Sequence, residues 1–226
     1  IPDADDWLER IVDSGMLDGV LLIGQSNQYD AIEQVAQRYR PMVVWGSNRA
    51  DAAQCTVGVD NRLGGQLAGE CLIARGCRNL AFLGETDAIE LNERYLGLCD
   101  AAAAAGLATP IALHVHLASD VMAEEIAAHI GSITGRVDGI AAGSDLIAMN
   151  TVRVLADHGV SVPGDIAVTG FDDLPLAEQI IPLLTTISQH IAEGARAMVQ
   201  ALFARIGGED APSVVMQPLL IRRDTA

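Results

Sequence analysis

The side chains best suited to binding something polar stand just after short apolar runs. Asp172 and Asp173 follow Ile166–Thr169. An ionised carboxylate accepts hydrogen bonds from two vicinal hydroxyls, which is a direct way to hold a sugar. Asp172 is therefore the first candidate, and Asp173 reads as a cap or structural partner. Arg94 follows Leu80–Leu83 and its loop, near the start of a helical stretch. Its five donors in a fixed fork suit sugar hydroxyls or a carboxylate; the competing reading is a solvated arginine at a helix end. Glu90 and Asn92, in the loop before Arg94, are weaker candidates. Ser144 and Asp145 follow Gly139–Ala142, where the serine either reaches a ligand, directly or through water, or caps the next helix. Gln25 and Ser26 stand past Gly19–Ile23. Trp45 could stack on a sugar face, although alternation along its strand favours the core.

Other chemistries find less support. His114, His116, His129, His158 and His190 form no triad. His114 and His116 alternate on a strand, as a metal-binding pair would, but the sequence offers no third ligand, so no metal and no cofactor is assigned. Cys55, Cys71, Cys77 and Cys99 include no Cys-x-x-Cys pair and read as ordinary reduced thiols, in keeping with a cytoplasmic compartment. A Gly-x-Ser-x-Gly elbow, a phosphate loop, a His-Glu-x-x-His helix and a Gly-x-Gly-x-x-Gly turn are all absent. The rival reading of a sugar- or nucleotide-processing enzyme thus has no catalytic constellation to rest on.

The candidates are carried by a repeated unit of apolar run, turn and amphipathic helix. Strands are expected at Gly19–Ile23, Met42–Trp45, Thr56–Val59, Leu80–Leu83, Ile111–Val115, Gly139–Ala142 and Ile166–Thr169. Helices are expected at Asp5–Asp13, Tyr29–Tyr39, Leu63–Arg75, Glu93–Ala105, Val121–Ile130, Leu146–His158 and Ile191–Ile206, with Asp5, Asp30, Asp120 and Asp145 as caps or first-turn acids. Continuous apolar strands between helices imply parallel sheets covered on both faces, a doubly wound α/β arrangement; the pattern leaves open whether there is one sheet or two. The end differs, with Ser213–Gln217 and Leu219–Arg222 reading as short strands around Pro218.

Half of the residues are hydrophobic but only 4% are aromatic, so the core must rest on aliphatic side chains. A formal charge of −16 repels phosphate and argues against direct nucleic-acid binding by these residues. The acidic start, Ile1–Asp6, has no apolar signal region, and no apolar run is long enough to span a bilayer.

One segment is distinctive: Val162-Pro163-Gly164-Asp165-Ile166-Ala167-Val168-Thr169-Gly170-Phe171-Asp172-Asp173, followed by Pro182-Leu183-Leu184-Thr185-Thr186-Ile187. It resembles a signature of LacI/GalR-family transcription regulators. Further landmarks fall in that family's order: Val59-Asp60-Asn61 with Gly64-Gly65, Gly76–Gly84, Glu93-Arg94-Tyr95-Leu96-Gly97, Ala142–Ala148 and Pro218–Thr225. The resemblance covers essentially the whole chain.

The resemblance implies two Rossmann-like lobes of the periplasmic-binding-protein kind, joined by three crossings. Residues 1–60 with 191–212 would form the N-terminal lobe, and 61–190 with 213–226 the C-terminal lobe. Family members begin with a helix-turn-helix head, a hinge and opening sensor strands, so the natural protein is expected to be longer. The implied function is sensing a small effector, a sugar or derivative, in the interlobe cleft, with allosteric control of operator DNA by a head outside this sequence. A cytoplasmic homodimer is implied as well. Arg94 and Asp172 fall at the family's effector-contacting positions, Gln189 near the third crossing, and Gly46 where some relatives place an acidic contact. The alternative is a periplasmic sugar receptor serving a transporter.

Overall fold

The computed structural model of the chain describes residues 7–25, 28–117 and 121–226. The expectations for Asp5, Ser26 and Asp120 lie outside the described residues. The elements follow in order: α1 (Trp7–Asp13), β1 (Val20–Ile23), α2 (Tyr29–Ala36), β2 (Met42–Trp45), β3 (Cys55–Val59) and α3 (Asn61–Arg75). Next come β4 (Leu80–Leu83), α4 (Ile89–Ala104), β5 (Ile111–Leu113), α5 (Met122–Ile133), β6 (Gly139–Ala142) and α6 (Asp145–Asp157). The chain ends with β7 (Ala167–Asp172), a 3-10 turn at Pro175–Glu178, β8 (Thr185–Ser188), α7 (Ile191–Ile206), β9 (Val214–Met216) and β10 (Leu219–Ile221). No helix among the described residues is long and apolar enough to cross a membrane.

The chain divides into two units, each with its own sheet. The first takes the residues up to Asp60, Ala88–Glu90 and Ile191–Met216; the second takes Asn61–Asp87, Leu91–His190 and Gln217–Ala226.

In the first unit the strand order is β1-β2-β3-β9, all parallel. Alternation along β2 supplies both faces. Met42 and Val44 join Leu8, Ile32 and Val35 from α1 and α2, while Val43 and Val57 meet Met198 and Ala201 from α7. Residues 213–216 were expected in the other unit. Instead β9 continues this sheet, pairing Val57 with Val214 and Val59 with Met216, and the chain leaves the unit only afterwards. Alternation sorts a strand's side chains between two faces and does not record which sheet edge the strand joins.

The second unit holds a sheet in the order β10-β8-β7-β6-β4-β5, parallel except for β10 against β8. Helices α5 and α6 bury Ile126, Ile130, Ile147 and Leu155 against Ile140 and Val168. Helix α3 lies on β6, β7, β8 and β10. It also meets α4 at unusually close range: a Cβ added to Gly65 would stand 1.9 Å from the Arg94 carbonyl oxygen, and one added to Gly97 1.9 Å from that of Arg62. Only glycine permits this backbone-on-backbone approach.

Two boundaries and one whole strand differ from expectation in ways that matter for the site. Strand β7 runs on to Asp172, because β8 continues to pair with it and matches Asp172 to Ser188. Helix α4 starts at Ile89, so Glu90 and Asn92 lie in its first turn and not in a loop. Strand β8, Thr185–Ser188, is entirely buried although three of its four residues carry hydroxyls. Threonine suits a strand by its β-branch, and its polarity hides this from a hydrophobic pattern.

Candidate functional site

Asp172 and Arg94 are brought together in the second unit. Asp172 ends β7 and Arg94 sits in the second turn of α4, with Nη1 of the arginine 3.8 Å from Oδ1 of the aspartate. The Arg94 side chain is only 10% exposed and that of Asp172 19%. Gln189, just past β8, donates from its amide to the same carboxylate oxygen. Burial pushes the Asp172 carboxyl up from its ordinary range, and the Arg94 charge and the Gln189 amide pull it back.

Arg94 is held from several sides. Its Nε donates to Oδ1 of Asn61 at 2.8 Å and its Nη1 to the Gly143 carbonyl at 2.6 Å. The guanidinium carbon lies 3.7 Å above the Phe171 ring centroid, a cation–π distance. The close passage of Gly65 under the Arg94 backbone fixes where the side chain starts. Asn61, Phe171 and the Gly143 carbonyl were not among the candidates. Asn61 stands in the Val59-Asp60-Asn61 segment, which reads only as the entry to a helix; a helix-starting asparagine gives no sign that it holds an arginine on another helix.

Asp172 and Asp173 have φ of 127° and 57°, a region that non-glycine residues rarely occupy. Such strain persists where the surroundings impose it, and it gathers at ligand-holding sites. Asp173 is accounted for structurally: its carboxylate accepts from Nη2 of Arg223 at 2.8 Å.

Asp145 does not reach the site surface. It is fully buried; Oδ1 accepts from the Thr186 hydroxyl at 2.5 Å and Oδ2 from the Leu174 amide at 2.7 Å. These bonds give it a structural engagement, since they position the turn after Asp172. Ser144, also buried, caps α6 by accepting from the Ile147 amide at 3.3 Å. The capping alternative thus describes its geometry.

Three candidates belong to the first unit, and their side chains serve that unit. Gln25 is buried: Oε1 accepts from the Ser47 amide at 2.8 Å, while Nε2 donates to the Ser47 carbonyl at 3.1 Å and to Gln54 at 2.9 Å. That set has the amide holding the turn after β2. Glu90 accepts from the Gln25 backbone amide at 3.0 Å. Trp45 is partly buried and packs onto α7, where a Cβ on Gly194 would stand 2.1 Å from its ring, the geometry of the core alternative. Asn92 is half-buried in the first turn of α4. The second unit thus unites Asp172, Arg94 and Gln189, with Ser144 next to the Gly143 carbonyl that Arg94 bonds.

Residues 70–226 match the family described as periplasmic binding protein-like domain. The HTH-type transcriptional regulator CelR of Thermobifida fusca is 31% identical over 218 residues, which is 92% of this chain and 63% of that protein. The chain spans about two thirds of the length of the curated relatives it matches. A transcriptional regulator CelR–cellobiose complex superposes with a TM-score of 0.86 at 28% identity, covering 98% of this chain and 70% of that one. A periplasmic binding protein/LacI transcriptional regulator from Alkaliphilus metalliredigens, complexed with D-xylulofuranose, superposes with a TM-score of 0.84 at 28% identity, covering 98% and 82%.

Proposed function

This chain belongs to the periplasmic binding protein-like domain family of LacI/GalR-type regulators, and on that premise we propose that it senses a small polyhydroxylated effector for a DNA-binding transcription regulator. The observation that carries the proposal is the Asp172–Arg94 pair. At 3.8 Å the two charges face each other beyond hydrogen-bond distance, largely removed from water. A ligand hydroxyl can donate to Asp172 and accept from Arg94 at once, and a vicinal hydroxyl can donate to the carboxylate as well. Gln189 orients the carboxylate, while Asn61 and Gly143 orient the guanidinium. Cellobiose and D-xylulofuranose, bound by the two similar structures, share this vicinal-diol chemistry, so the effector class is a sugar or a close derivative.

Binding then favours one conformation of the sensor over another, and the regulator reads that shift as altered operator affinity. In this reading the protein acts as a cytoplasmic homodimer and performs no turnover. The test is a thermal-shift panel of mono- and disaccharides with the unchanged protein and Asp172→Ala. A ligand at about 100 times its dissociation constant stabilises by about 2.7 kcal/mol. Asp172→Ala should abolish that shift and still fold. An undiminished shift in the variant removes Asp172 from the site, and no shift with any sugar rejects the effector class.

A further inference from the structure

We propose that Glu85, His114 and His116 form a second site, which binds a divalent transition-metal ion of the zinc type. Beyond β5 the chain places His114 and His116 on either side of Val115, which is fully buried, so both imidazoles emerge on the exposed side. Their Nε2 atoms are 3.2 Å apart. Glu85 arrives from the neighbouring strand: β4 and β5 are parallel, with Leu83 beside Leu113, so both chains leave the sheet at the same end. Its Oε1 is 3.9 Å from Nε2 of His116. Among the described residues this is the group of three ligating side chains whose donor atoms lie within 4.8 Å of one another.

The spacing of the two imidazole nitrogens suits a metal. A tetrahedral centre with metal–nitrogen bonds of about 2.0–2.1 Å separates its ligand atoms by about 3.3 Å. The supporting groups suit one as well. Glu125 of α5 accepts from the His116 backbone amide at 2.8 Å and lies 2.6 Å from Nδ1 of the same ring. When Nδ1–H donates to this carboxylate, the lone pair of Nε2 is directed at the site, the usual arrangement behind a metal-bound histidine. His129 fixes the adjacent backbone, its Nε2 lying 2.8 Å from the His114 carbonyl oxygen. Two imidazoles and one carboxylate select zinc, nickel, cobalt or copper over magnesium or calcium, and they leave a position for water or a further ligand. The His114/His116 alternation is visible in the sequence; the third ligand becomes visible only when β4 and β5 are side by side.

The test is calorimetric titration of tag-free, chelator-treated protein with Zn²⁺, together with the visible absorption of Co²⁺. One equivalent should bind, and Mg²⁺ should not compete. His114→Ala, His116→Ala and Glu85→Ala should each weaken binding at least about tenfold, and Glu125→Gln, which touches no metal, by about 10–100-fold. All four positions lie near the surface, and matching metal-free melting curves check that the variants fold. Three of the four thiols are buried, so they do not compete for the added ion. Absence of binding by the unchanged protein overturns the site. Binding that survives Glu85→Ala and Glu125→Gln undiminished also overturns it, because it leaves only a histidine pair.

Discussion

Asp145 is fully buried, and desolvation pushes its carboxyl from its ordinary 3.8 up to about 6, against the pull of its bonds to Thr186 and Leu174. The folded state therefore holds this proton more tightly than the unfolded chain does. Its contribution to stability is full below about pH 4 and is lost as pH rises through about 6, a change on the order of 3 kcal/mol. Urea midpoints between pH 4 and 7 should fall more steeply with rising pH for the unchanged protein than for Asp145→Asn, whose amide does not titrate. Parallel curves would show that Asp145 carries no such linkage. At this scale the sequence was only partly legible. Asp172 and Arg94 stood out by type and position, and the structure sets them side by side. Asp145 and Gln25 were named by position alone, and their oxygens and amides are engaged by Thr186, Leu174, Ser47 and Gln54, partners that only the folded chain brings near. A polar residue after a strand has the same signature whether it faces a ligand or a loop.

The elements that hold Arg94 do so through missing side chains. Gly65 of α3 and Gly97 of α4 let two helix backbones touch, and either Cβ would enter a carbonyl oxygen of the other helix. Gly65→Ala should destabilise the protein by about 1–3 kcal/mol, as overpacking does. It should also weaken effector binding, because relief of the clash moves the Arg94 backbone. Urea unfolding and ligand titration of the same variant check both; lost stability with unchanged affinity would separate Arg94 from this contact. The apolar strands were legible from periodicity, Met42–Trp45 and Leu80–Leu83 to the residue. Thr185–Ser188 was not, because its buried hydroxyls serve Asp145 and the chain end and break the apolar pattern. The early start of α4 was likewise hidden by polar residues in its first turn.

For the molecule as a whole, family and fold class were legible because ordered motifs span the chain, whereas the allocation of β9 depended on a sheet edge that no motif marks. The net charge of −16 works at this scale too. These 226 residues on their own should leave the fluorescence anisotropy of a labelled DNA duplex unchanged at about 100 mM salt; salt-sensitive binding would contradict the electrostatic argument. The cysteines add a property of another kind. Cys55 is buried in the first unit and Cys71 and Cys77 in the second, and burial raises all three thiols, Cys77 to about 11. An alkylating reagent meets them only when the surrounding core opens and the thiolate can form. Each unit thus carries its own chemical clock, and the rates at which Cys55 and Cys71 are labelled time the opening of the two sheets separately within one chain.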